Sequence, residues 1–209
     1  MEKERLVRVF DRQAAKYESN KESSNLTKWR RALLSQAEGE VLELAVGAGA
    51  NFPYYPPDVN ITAADFSKEM LAAARKKAAN YHIQAKWVCA DIEKLEFEPD
   101  SFDTIVSTLS FCCYENPLEM LKKVQCWCKP DGKILLFEHG KSSNIFVSGA
   151  QRVLNPLLYK MIGCHQTRDI LNLVHESGLA VQRAESHWLN MFHMIWASPE
   201  KGFSCQKNR

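Results

Sequence analysis

Val41-Leu42-Glu43-Leu44-Ala45-Val46-Gly47-Ala48-Gly49-Ala50-Asn51 is the stretch around which the rest of the chain is read. Its apolar run carries an acid and then passes through two glycines, the pattern of a buried parallel strand whose C-terminal end opens into a ligand-binding turn. Glycine is expected at Gly47 and Gly49 because the backbone must turn sharply and let a ligand approach closely. A dinucleotide fingerprint would place its third small residue where this chain has Phe52, a side chain too large for a helix to pack tightly beneath a pyrophosphate. Phosphate cradling is therefore disfavoured. Glu43 instead offers a carboxylate, which suits a ligand rich in hydroxyls or carrying positive charge.

Downstream, Ile61 to Asp65 reads as the second strand and ends on an acid at about the 20-residue spacing at which α/β folds place a carboxylate for ribose hydroxyls. A vicinal diol supplies two donors and an ionised carboxylate two acceptor oxygens. Between the two strands, Pro53, Pro56 and Pro57 cut the usual crossover helix to about one turn. Ser67 to Tyr81 is a predicted helix and Gln84 to Cys89 a third strand. Pro117 to Cys128 reads as a helix with Pro117 in its first turn. Lys129 to Lys133 reads as a turn that delivers a fifth strand, Ile134 to Glu138.

The composition sets bounds. A chain of 209 residues with 45% hydrophobic and 25% charged residues is ordinary for one globular domain. A formal net charge of +2 is too small to imply nucleic acid as a partner. No apolar run reaches the roughly 20 residues of a membrane-spanning helix, so a cytoplasmic protein is expected. The 7 cysteines show no paired metal-binding spacing and no disulfide framework; free thiols and no metal site are the expectation.

Glu43-x-Ala45-x-Gly47-x-Gly49 resembles motif I of the class I S-adenosylmethionine-dependent methyltransferases, with Ala45 where the first glycine of the common form stands. The segment Ser101-Phe102-Asp103-x-Ile105 resembles that family's fourth-strand signature, and Lys129-Pro130-Asp131-Gly132 its turn before the fifth strand. The resemblance implies a Rossmann-like α/β fold, with a seven-stranded mostly parallel sheet and helices on both faces, and S-adenosylmethionine as cofactor. It implies cofactor contacts from Glu43, Ala45, Gly47, Gly49 and Asn51, from Asp65 and Phe66, and from Thr108. It also implies that Asp91 accepts from the adenine amino group while Ile92 packs on the ring. Phe10-x-x-x-Ala14-x-x-Tyr17 is similar to the N-terminal segment of ubiquinone-type methyltransferases, which implies that Tyr17 lies over the cofactor.

The expected organisation is N-terminal helices over the site in 1–39, a methyltransferase domain in 40–200 with a substrate lid at 140–166, and a flexible tail at 201–209. The segment Ser148 to Ile162 is apolar with few charges; core packing, a lid and a lipid-facing patch are its three readings. Thr167 is the expected N-cap of a following helix. His139 and His165 are the candidate catalytic bases, with Glu138 paired to His139 and Arg168 beside the pocket.

Phe137-Glu138-His139, Leu154-Asn155-Pro156, Gly163-Cys164 and Thr167-Arg168 stand in the same order as pieces of the microsomal alkyl thiol methyltransferases. Those enzymes carry a hydrophobic N-terminal anchor that this sequence does not show, and have an aspartate where Asn155 stands. The implied reaction moves a methyl group to a small-molecule acceptor, a thiol in first place. The alternatives are N-, O- or C-methylation of a lipid, quinone or other hydrophobic molecule, a nicotinamide-dependent oxidoreductase, and a non-catalytic cofactor-binding partner.

Overall fold

A computed structural model describes residues 3–19, 22–203 and 205. Its centre is a seven-stranded sheet in the order β3-β2-β1-β4-β5-β7-β6. The strands are β1 (Glu40–Leu44), β2 (Asn60–Asp65), β3 (Ala85–Cys89), β4 (Phe102–Thr108), β5 (Cys128–His139), β6 (Ala180–His187) and β7 (Phe192–Ser198). The first five pair in parallel, and β7 runs antiparallel to both β5 and β6. The helices are α1 (Lys3–Ser19), α2 (Ser24–Leu34), α3 (Lys68–Asn80), α4 (Pro117–Trp127), α5 (Ile145–Ile162) and α6 (Ile170–Glu176).

Strand side chains alternate between faces, and the core follows that alternation. Leu42, Leu44, Ile105, Ile134 and Leu136 pack with Met120, Leu121, Val124 and Trp127 of α4 and with Ile170 and Val174 of α6. Val41, Ile61, Val106, Leu135 and Phe137 pack on the other face with Leu33 and Leu34 of α2 and Leu71, Ala74 and Ala78 of α3. Both faces are covered, which is why the central strands read as nearly continuous apolar runs. α1 adds a smaller cluster, where Phe10 and Ala14 meet Ala48, Met70 and Ala73.

The short crossover appears as a single 3₁₀ turn, Phe52–Tyr54. Ser67 caps α3 by accepting from the Met70 amide at 3.1 Å. Several expectations are corrected. The turn at 129–133 is an irregularity inside β5, whose pairing to β4 jumps from Phe102–Cys128 to Thr104–Lys133. α6 is capped by Asp169, which accepts from Asn172, and not by Thr167; an ionised carboxylate is the stronger acceptor at that end. α5 is not core: none of its residues is buried, and Phe146 is 85% and Val153 78% exposed. Pro156 sits inside it. Cys126 and Cys205 are joined in a disulfide, against the expectation of seven free thiols; the other five remain free. The expected flexible tail falls partly outside the described residues. Among the described residues no helix is long and apolar enough to cross a membrane.

Candidate functional site

The C-terminal ends of β1, β2 and β4 meet under α1, and a cavity of about 140 Å³ lies there. Its walls include Ala45, Gly47 and Ala48 after β1, Asp65 and Phe66 after β2, Thr108 to Ser110 after β4, and Phe10 and Tyr17 from α1. A larger hollow of about 810 Å³ lies at the opposite end of the strands, between the start of β5 and residues 199–203 and 205. The order of strands reverses between β1 and β4, and it is at the carboxyl ends beside such a switch point that open α/β sheets bind ligands. The smaller cavity is therefore the candidate site.

The turn after β1 is held in left-handed backbone geometry at Ala45, Gly47 and Gly49, with φ of 53°, 54° and 76°. A Cβ built on Gly49 would stand 2.6 Å from the Phe52 ring, so glycine is required there for packing. A Cβ on Gly47 would meet nothing within 4 Å; its open side is cavity. Phe52, which argued against a pyrophosphate site, is the ring that fills the space under the turn.

Asp65 is buried and bridges the turn to the second strand. One carboxylate oxygen accepts from the Gly47 amide at 2.9 Å and the other from the Ser67 amide at 2.8 Å. Burial pushes its carboxyl up to about 6 in spite of those two bonds, so the group is still ionised at neutral pH. Each oxygen keeps acceptor capacity for a further donor from the cavity.

Glu43 does not reach the cavity wall. Its oxygens accept from Asn51 Nδ2 at 2.8 Å and from the Tyr55 hydroxyl at 2.9 Å, and burial pushes it up to about 7. Arg30, which the sequence reading missed, links this pair to the site. Its guanidinium donates to Asn51 Oδ1 at 2.5 Å and to Thr108 Oγ1 at 2.8 Å, and pairs with Glu22 at 2.9 Å. It is 4% exposed. An arginine among the polar positions of an amphipathic helix carries no sequence signal that it points inward.

Asp91 and Ile92 also stand apart from the cavity wall. Asp91 caps a 3₁₀ turn by accepting from the Glu93 amide at 3.2 Å, and Lys3 of α1 pairs with it at 2.7 Å. Ile92 is part of the core under α4. Glu138 is corrected in orientation. Neighbouring strand residues point to opposite faces, and Glu138 turns inward, accepting from Ser107 Oγ at 2.8 Å and from the Ser110 and Phe111 amides at 2.9 and 3.1 Å. Burial pushes it up to about 7. It fixes the loop after β4 and does not face a reacting group together with His139.

His139 points the other way, with Nε2 2.8 Å from Cys164 Sγ. Cys112 Sγ lies 3.5 Å from Cys113 Sγ, and Cys113 lines the cavity. The His165 amide donates to the Cys112 carbonyl at 3.1 Å and ties the two cysteine-bearing loops together. Hydrogen bonds from Cys112 and Cys113 hold the Cys164 thiol down at about 5, while burial keeps His139 below its usual value. The His165 ring itself stacks on Tyr159 at 3.9 Å and meets Asn155 at 3.4 Å. Arg168 donates to the Tyr114 carbonyl. Cys112, His139 and Cys164 together form a group with metal-ligand chemistry, although spacing along the chain pointed to no such site.

A doubly wound sheet with strand order 3-2-1-4-5-7-6, its glycine turn after β1 and an acid after β2, defines the class I methyltransferase architecture. Residues 42–136 match the family described as "Methyltransferase domain". It is 35% identical to thiol S-methyltransferase TMT1B of Rattus norvegicus over 63% of this chain and 56% of that protein. It is 28% identical to the ubiquinone/menaquinone biosynthesis C-methyltransferase UbiE of Desulfotalea psychrophila over 77% of this chain and 70% of that one. Among solved structures, a putative methyltransferase from Bacillus halodurans superposes with a TM-score of 0.65, at 21% identity over 78% of this chain and 72% of that one. The chain spans little more than half the length of the rat thiol methyltransferase.

Proposed function

We propose that the chain binds S-adenosylmethionine in the cavity at the ends of β1, β2 and β4 and moves its methyl group to a small-molecule acceptor, a thiol in first place. The observation that carries this reading is the pairing of Asp65 with the open side of Gly47. A vicinal diol can lie against the carboxylate while the adjoining chain passes over a backbone that has no Cβ in the way. Phe10, Phe66 and Tyr17 supply apolar walls for the remainder.

When bound, the cofactor supplies a methyl group on a sulfonium, already activated for in-line displacement. The protein's part is to hold the acceptor in line and exclude water, from which proximity yields much of the rate. Glu43, Asn51, Thr108 and Arg30 keep the strand ends in register, and Glu138 sets the loop that bears Cys112 and Cys113. Asp91 and Ile92 support the cofactor side from behind the wall. Of the two histidines, His139 stands in the cysteine corner beside the cavity and acts on the acceptor, while His165 positions the loop that carries Cys164. The thiol preference follows from the rat relative's printed activity together with that corner.

The lipid-facing reading of α5 agrees with its exposed Ile145, Phe146 and Val153. A net charge of +2 gives no reason to invoke nucleic acid. The test is a methyl-transfer assay with radiolabelled S-adenosylmethionine against an alkyl thiol, an amine and a quinol. Label transferred to the thiol upholds the reading, transfer to another acceptor moves it within the class, and binding without transfer to any of them overturns catalysis.

A further inference from the structure

The fold brings two thiols and an imidazole from three separate segments to one point beside the cavity. One ligand atom each from Cys112, His139 and Cys164 lies within 4.8 Å of the others. Cys112 belongs to the loop after β4, His139 ends β5, and Cys164 follows α5. The loops are set by bonds that do not use the ligand atoms. Glu138 holds the Ser110 and Phe111 amides, and the Cys112 carbonyl takes the His165 amide. The corner is therefore organised before any ion arrives, and Cys112 is 1% exposed.

From this geometry we infer that Cys112, Cys164 and His139 form a Zn²⁺ site beside the Cys113 wall of the cavity, with the fourth position taken by the sulfur of the methyl acceptor. Two thiolates balance the charge of a divalent ion in a place too buried to carry an excess. Sulfur and imidazole donors select a borderline-soft tetrahedral ion over magnesium or calcium. Three protein ligands with an open fourth place is the pattern of a zinc that handles substrate, not of one that only holds a fold. Cys113, the neighbour of Cys112, stands in the cavity wall together with Tyr17.

Both cysteines bind as thiolates, and any thiol proton still held passes to solvent on loading. An incoming thiol gives up its own proton to solvent on coordination. A sulfur lone pair of that thiolate forms the new bond to the methyl carbon as the bond from carbon to the cofactor's sulfonium breaks. The electron pair of the broken bond goes to the cofactor sulfur, and nothing is oxidised or reduced. The product thioether is neutral and a weaker ligand, so it leaves. The acceptor position rests on the proposed methyl transfer; the three-ligand site does not.

The experiment loads the full chain with Zn²⁺ under a non-thiol reductant, exchanges the buffer and measures bound metal by mass spectrometry. One zinc per chain is expected, retained in Cys89→Ser, whose cysteine is exposed, and lost in Cys112→Ser and Cys164→Ser. Co²⁺ in place of zinc should give intense tetrahedral bands and thiolate charge transfer without any variant, and ethanethiol should shift them. Sub-stoichiometric zinc, or equal zinc in wild type and both variants, overturns the site. A cobalt spectrum indifferent to ethanethiol overturns the open position. A parallel melt with S-adenosylhomocysteine separates the two proposals. Stabilisation by it without bound zinc sinks this inference alone, whereas bound zinc without that stabilisation upholds the three-ligand site and sinks the acceptor position.

Discussion

The two sides of the cavity are built from different materials. On one side, carboxylates and amides at the ends of β1, β2 and β4, with the Arg30 guanidinium of α2, make bonds that join neighbouring strand ends, with Asp65 held by Gly47 and Ser67, and Glu43 by Asn51 and Tyr55. On the other, sulfur and imidazole come from a loop, a strand end and the segment after α5. The first side couples site to fold, because the same residues hold the strands in register. The second is attached to a finished fold. Substitutions on the first side should change stability, whereas those on the second should change chemistry and leave stability nearly alone.

The largest effect that would break or uphold this contrast is at Arg30. Replacing it with methionine leaves Glu22, Asn51 and Thr108 without their shared donor. The expected loss is about 3 kcal/mol, the order found when one partner of a buried pair is removed. That lowers Tm by roughly 6–12 °C for a domain of this size. Cys112→Ser should move Tm by much less, within about 1 kcal/mol; equal losses in both would erase the distinction.

Next in size is Asp65→Ala. Losing a charged acceptor from the ribose position should weaken S-adenosylhomocysteine by about 2–3 kcal/mol, or roughly 30- to 150-fold, measured by calorimetry. Undiminished affinity would remove Asp65 from the site.

The coupling of site to fold also predicts a pH dependence. Burial raises Glu43 and Glu138 from an ordinary 4.5 to about 7. The folded state therefore binds more protons than the unfolded one in that interval. Their contribution is fully present below about 4.5 and is lost as pH rises to about 7. Asp65, raised by burial to about 6, adds to the decline over an overlapping range, so Glu43→Gln should remove roughly a third of it, seen in urea midpoints. An unchanged slope would show that Glu43 is not the titrating group.

The smallest effect is at Ala45, whose φ of 53° is costly for any residue with a Cβ. Ala45→Gly, which restores the first glycine of the common motif, should stabilise by about 0.5–1 kcal/mol, the relief of left-handed strain less the added freedom of the unfolded chain. Destabilisation would mean that the methyl group makes contacts worth more than the strain.

The same contrast explains what was legible in the sequence. Gly47, Gly49 and Asp65 follow strands at spacings set by the length of a β–crossover–β unit, so their positions along the chain predict their positions in space. Arg30 was hidden because a charged residue on an amphipathic helix reads as solvent-facing. Cys112, His139 and Cys164 were hidden because no spacing rule links a loop after β4 to the segment after α5. Apolar content misled at α5, where Phe146 and Val153 face outward; periodicity shows which residues share a face, not what covers it. Asp91 and Ile92 follow a strand end where family likeness expects cofactor contacts; Lys3 pairs with the one and core side chains surround the other.

The central claim is that the carboxylate side of the cavity holds S-adenosylmethionine, and a thermal melt tests it most directly. S-adenosylhomocysteine at a hundredfold excess over its Kd should stabilise the chain by about 2.7 kcal/mol, a rise of roughly 5–10 °C, while NADH at the same concentration leaves Tm unchanged. No rise with S-adenosylhomocysteine, or a rise with NADH alone, would contradict the account.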